Sequence, residues 1–157
     1  MNKKGFTLME LLVVVIIIAT FAAMTYPSFR SSIERARASE AVHMIGAIQA
    51  AQQKHFVNYE VYGTDFRDIN DFKPAVANFD PSQTSFSTDY FTYQMNSGSN
   101  SVVATRNGAG GVSNGYSLIG FYNEEFIRCQ VSNNNGEKVC ASLTDRDKVD
   151  DSYYPIF

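Results

Sequence analysis

One carboxylate stands in the most apolar stretch of the chain. Glu10 precedes a run from Leu11 to Met24 whose single polar residue is Thr20. A charge at mid-bilayer depth costs roughly 3 kcal/mol, so a carboxylate kept there is usually retained for a partner. The second acidic feature is Asp145, Asp147, Asp150 and Asp151, four carboxylates in a window of seven. Oxygen-rich loops bind Ca²⁺, yet this spacing is not that of an EF-hand, and Arg146 and Lys148 offset the charge. A solvated loop is the expectation there, with no metal. Cys129 and Cys140 are the two cysteines and His43 and His55 the two histidines. The histidines are twelve residues apart, about 120° around a helix, so they cannot share a ligand. A structural zinc site usually needs four Cys or His ligands brought together, which this inventory almost excludes. No nucleophile, His and acid signature and no phosphate-binding Gly loop is present. The chain is therefore not expected to be an enzyme, and no cofactor is implied. The net charge of −3 also gives no indication of DNA binding, which leans on basic surface.

The element that carries Glu10 is hydrophobic enough to meet lipid. The run from Leu11 to Met24 is shorter than the ~20 apolar residues of a spanning helix, but residues 6–26 suffice if Glu10 is tolerated. Lys3 and Lys4 precede it and no basic residue follows until Arg30. The positive-inside rule then puts Met1 in the cytoplasm and the bulk of the chain outside. A secretory signal peptide is one reading of such a start, but the nearest small-x-small site, Thr20-Phe21-Ala22, is poor, and Glu10 is out of place. A plain single-span anchor, with Glu10 near the wet interface, is another.

Beyond Pro27 the pattern becomes amphipathic. Ala38, Ala41, Ile45, Ile48, Gln52 and Phe56 recur at helical spacing, with charged residues largely elsewhere. This predicts one helix from about residue 6 to about 58, roughly 80 Å of rise. Pro27 either kinks that helix or divides it in two, and Gly46 is a milder weak point. Residues 59–89, with Pro74 and Pro81, read as a connecting loop. Strand patterns follow at residues 90–95, 101–106 and 116–122, with a possible fourth at 126–131. Residues 96–100 read as a hairpin turn and 107–115 as a Gly-rich loop. The 12 Phe and 9 Tyr supply the core of a small domain without Trp. The fold class is α+β: a long N-terminal helix packed on an antiparallel meander of about four strands, forming a head over residues 90–157. The apolar tail, Ser152 to Phe157, is expected to dock on the sheet.

Lys4-Gly5-Phe6-Thr7-Leu8-Met9-Glu10 followed by Leu11-Leu12-Val13 closely resembles the start of type IV prepilins and of the pseudopilins of type II secretion. The resemblance is strong from Met1 to about Tyr62 and loose beyond. It implies a leader of residues 1–5, a prepilin peptidase that cuts between Gly5 and Phe6, and N-methylation of the new Phe6 amine. Loss of Lys3 and Lys4 would leave the chain two charges more acidic. It implies an assembly half at residues 6–26 and an amphipathic half at 27–58, kinked rather than broken at Pro27. Glu10 of one subunit would meet the Phe6 amine of its neighbour and set the axial register, since two charges unstable alone in an apolar core are tolerable as a pair. The segments around Cys129 and Cys140 resemble the C-terminal disulfide loop of type IVa pilins, which implies that the two pair. The implied function is a pilus subunit: a helical homo-oligomer built by an inner-membrane platform with ATPase motors, resident in the inner membrane and then on the cell surface. Adhesion, motility or DNA uptake would be its uses. A pseudopilin of a secretion or competence fibre is the alternative, and an envelope binding module that never polymerises the rival from another class.

Overall fold

The computed structural model describes residues 6–76, 79–108, 115–144 and 153–156. The chain divides into two compact units, Met1–Glu34 and Arg35–Phe157. Helix α1, Leu8–Tyr59, contributes its first part to one unit and the remainder to the other. It begins where a Thr-x-x-Glu sequence supplies a capping box. It ends where Glu60 takes a left-handed backbone, φ 60°, while its N–H still reaches the Phe56 carbonyl at 2.8 Å. Pro27 lies inside α1.

In the second unit α1 buries one narrow row. Ala38, Ala41, Ile45, Ile48 and Gln52 are fully covered, which is the stripe the spacing predicts. Phe56, its last member, remains partly exposed and stacks on Tyr62 with ring centroids 4.7 Å apart.

The row faces a six-stranded antiparallel sheet whose strands pair in chain order. The strands are β1 (Ser85–Ser87), β2 (Phe91–Asn96), β3 (Ser101–Arg106), β4 (Tyr116–Phe121), β5 (Ile127–Val131) and β6 (Tyr153–Ile156). β2 to β5 are the four expected strands, and the Asn96 to Asn100 turn closes the first hairpin with Asn100 at φ 47°. Two strands and a helix exceed the expectation. β1 has three residues, too few for an alternation to be seen. β6 carries Pro155 but occupies a sheet edge, where a missing N–H is tolerated. The tail thus docks by joining the sheet, with Ile156 buried. Helix α2, Asn134–Leu143, opens within the disulfide loop; the Asn133 side-chain oxygen caps it by accepting from the Gly136 N–H at 2.9 Å.

Register puts Met95, Val102, Gly120 and Ile127 in one cross-strand row, and Tyr93, Ala104, Leu118 and Cys129 in the next. These residues are the inner face. The glycine in the first row is required by close approach, since a Cβ on Gly120 would collide with Ile45 of α1. The segment expected only to connect is also part of the core. Phe66, Phe72, Phe79 and Phe86 form a ring cluster with centroids 5.2 to 6.3 Å apart, and Phe86 stacks on Tyr93 at 4.9 Å.

Candidate membrane and assembly segment

The first turn of α1 organises the N-terminal segment. Thr7 is its cap. Its backbone N–H and its hydroxyl donate to Glu10 Oε2 at 2.8 and 2.9 Å, and the Glu10 N–H donates back to the Thr7 hydroxyl at 3.2 Å. The pair satisfies two donors that a helix start leaves open. It also gives the Glu10 carboxylate partners within its own turn. The Thr-x-x-Glu spacing is the sequence signal for this cap.

From Leu8 to Tyr26 the helix is long and apolar enough to cross a membrane, with a mean hydropathy of 2.5, and none of it is buried. Its two interior hydroxyls are turned back on the helix: Thr20 donates to the Ile17 carbonyl at 2.8 Å and Thr25 to the Phe21 carbonyl at 2.9 Å. Neither needs water, which suits an apolar solvent. Phe6 is described and is 87% exposed, whereas Gly5 lies outside the described residues.

The other expected sites fall in or near the head. Cys129 and Cys140 are disulfide-bonded, with Cα atoms 5.7 Å apart, and both are fully buried. Asp145, Asp147, Asp150 and Asp151 lie outside the described residues. Among the described residues no group of three or more His, Cys, Asp or Glu could hold a metal. His43 is exposed, while the His55 ring lies tilted against Tyr59 with centroids 4.6 Å apart and its Nδ1 meets the Val61 carbonyl at 2.9 Å.

Sequence reasoning missed a row of glutamines on α1. Gln49 donates to the Phe121 carbonyl at 2.8 Å and Gln53 to that of Tyr122, pinning the β4 to β5 turn. Gln52, fully buried, donates to the Gly63 carbonyl at 3.1 Å and accepts from the Gly63 N–H at 2.8 Å. The signal was present as the one polar member of the buried stripe; a buried polar side chain needs partners, and these are they.

The first 26 residues match the family model described as the prokaryotic N-terminal methylation motif. That defines the class: proteins that begin with this motif on an apolar helix. The chain is 32% identical over 63 residues to the type IV major pilin protein PilE of Neisseria gonorrhoeae, covering 40% of this chain and 38% of that one. It is 33% identical over 63 residues to the fimbrial protein EcpC of Eikenella corrodens, covering 40% and 41%. It is 37% identical over 77 residues to the type IV major pilin protein PilA of Myxococcus xanthus, covering 49% and 34%. The matched stretches thus span 34% to 41% of these relatives. The chain is thus similar to type IV pilins over its N-terminal part.

Proposed function

We propose that this chain is the structural subunit of a type IV pilus. The observation that carries the reading is the uncovered apolar helix, Leu8–Tyr26, opening on a methylation motif in which Glu10 is the lone carboxylate. Such a helix requires either lipid or other helices. Each Val, Leu, Ile or Phe removed from water contributes about 1.5–3 kcal/mol, which is the cohesion a fibre core needs.

On this reading residues 1–5 are a leader, a prepilin peptidase cuts between Gly5 and Phe6, and the Phe6 amine is methylated. The subunit waits in the inner membrane until a platform with ATPase motors lifts it into a helical fibre on the cell surface. Glu10 of one copy pairs with the Phe6 amine of the next, exchanging Thr7 for an intermolecular partner. Pro27 gives the helix a weak point between its two halves. The role proposed is structural.

The test is to shear cells, collect the released fibres and measure the mass of the N-terminal peptide. A peptide beginning at methylated Phe6 in the sheared fraction is the expected result. A chain retaining Met1 to Gly5 and confined to the membrane would instead mean a plain anchor.

A further inference from the structure

We propose that the corner where α1 ends in one copy of this chain docks into a groove on the side of α1 in a second copy, so that each copy gives one contact and receives another. The inference rests on the filament reading and names a contact within it. Both surfaces belong to the unit Arg35–Phe157. The groove has a volume of about 550 Å³. α1 lines it with Met44, Ala47, Ala50 and Ala51, and the segment beyond lines it with Phe72 and Pro74. Small side chains on an exposed helix side let a second element approach closely. Lys54 and Lys73 also line the groove; Lys54 is paired with Asp71, whereas Lys73 is exposed and has no partner among the described residues.

The complementary surface is apolar and projects. Val57, Tyr59 and Val61 are 78%, 67% and 59% exposed, the most exposed large apolar side chains described in this unit. One such residue on a surface is ordinary, but three within five positions form a patch. The corner is held in shape before any partner arrives. The Glu60 N–H donates to the Phe56 carbonyl at 2.8 Å, the His55 ring lies against Tyr59, and His55 Nδ1 meets the Val61 carbonyl at 2.9 Å. A projection ordered in advance loses little entropy on docking. Glu60 stands among the three apolar residues, exposed and without an ion pair among the described residues, and it complements Lys73. The groove's carboxylates do not oppose it. Asp71 is taken by Lys54, and Glu40 lies fourteen residues from Lys54, about 21 Å away along α1.

Corner and groove cannot meet within one copy, because both are fixed to the same helix, Leu8–Tyr59. Seating Tyr59 of one copy beside Ala50 of the next displaces the two by nine residues, about 14 Å along α1. A contact between unlike surfaces displaced along an axis does not close on itself, and its repetition builds an open array. A helical array gives each copy neighbours at several axial steps, so this contact has its own register, independent of any at Glu10.

The experiment uses the full chain in cells and the fibres released by shear. The double variant Ala50→Cys with Tyr59→Cys, oxidised with diamide in the collected fibres, should give a ladder of dimers, trimers and higher species on a non-reducing denaturing gel. Ala47→Cys with Val61→Cys is a second pair and should do the same. Each single-cysteine variant should give monomer. Tyr59→Asp, which charges the corner, and Ala50→Trp, which fills the groove, should each lower the yield of fibre about tenfold. Both positions are exposed, and resistance of Cys129 and Cys140 to alkylation reports a folded head. Abundant fibres that yield only monomer from both cysteine pairs would overturn the contact. Dimers from Tyr59→Cys alone would do so too, since corner would then meet corner, as would a loss on Tyr59→Asp that Ala50→Trp does not share. In each of these cases fibres of the starting chain remain, so the filament reading stands. Absence of processed fibres from the starting chain would remove both.

Discussion

Gly120 shows how far a single position constrains the head. Its missing side chain is where the Ile45 methyl group and the Gln49 amide of α1 approach the sheet. Gly120→Ala should therefore lower stability by about 1–3 kcal/mol, as overpacking does, read as a fall in melting temperature. Tyr93 and Tyr122 act through burial. Their hydroxyls are covered and have no hydrogen-bond partner among the described residues, and burial holds both phenols well above the ordinary tyrosine range. A phenol that ionises less readily when folded contributes its stability fully below the unfolded value near pH 10, and that contribution is lost as pH rises beyond it. Thermal melts should thus be flat on this account through neutral pH and fall above about pH 10. Tyr93→Phe should make the alkaline fall shallower at little cost at neutral pH, because its lost hydroxyl had no bond to break. The acid side has the opposite sign. Hydrogen bonds from Arg67 hold the Asp65 carboxyl below its usual range, and those from Ser82 do the same for Asp80. Their stabilisation is present above about pH 4 and declines as pH falls through the depressed values, weakly because both are solvent-screened.

The elements are joined by a few side chains whose removal should be measurable. Gln52 makes both of its hydrogen bonds with Gly63 in a buried setting. Gln52→Ala should cost about 1–3 kcal/mol, with hydrogen exchange of the Gly63 amide accelerating before that of the strands. The Cys129 and Cys140 bond closes a separation of 11 residues and should contribute somewhat under about 3 kcal/mol, measured as the loss on Cys140→Ser. α1 and β2 to β5 were legible because each has a period long enough to register: the row from Ala38 to Gln52, and alternations such as Phe91, Tyr93 and Met95. β1 and α2 were not. The first is three residues long, and the second begins in Asn134-Asn135-Gly136, residues whose composition reads as a turn until the Asn133 cap is seen. The apolar run and its one carboxylate were legible because their information is local; the Thr7 and Glu10 capping pair emerges only from the structure. The Gln49 and Gln53 contacts were not legible, because each joins positions far apart in the chain.

At the scale of the molecule, the two units differ in what they require. The unit Arg35–Phe157 has its own buried core, whereas the helix Leu8–Tyr26 has none of its surface covered. Residues 35–157 expressed alone should stay monodisperse without detergent, and the full chain should aggregate unless detergent is present, as size-exclusion chromatography would show. The order of the sheet has a consequence of a different kind. Each strand pairs with its immediate predecessor, so no strand waits for a partner later than the next one in the chain. A chain threaded outward from its N-terminus could therefore build the sheet vectorially, one hairpin at a time, with little loop-closure entropy at each addition. Only the last strand comes from a distance. Cys140 precedes it in the chain and is bonded to Cys129 on the strand it joins, so a disulfide formed first would gather the C-terminal end before its final edge is laid down.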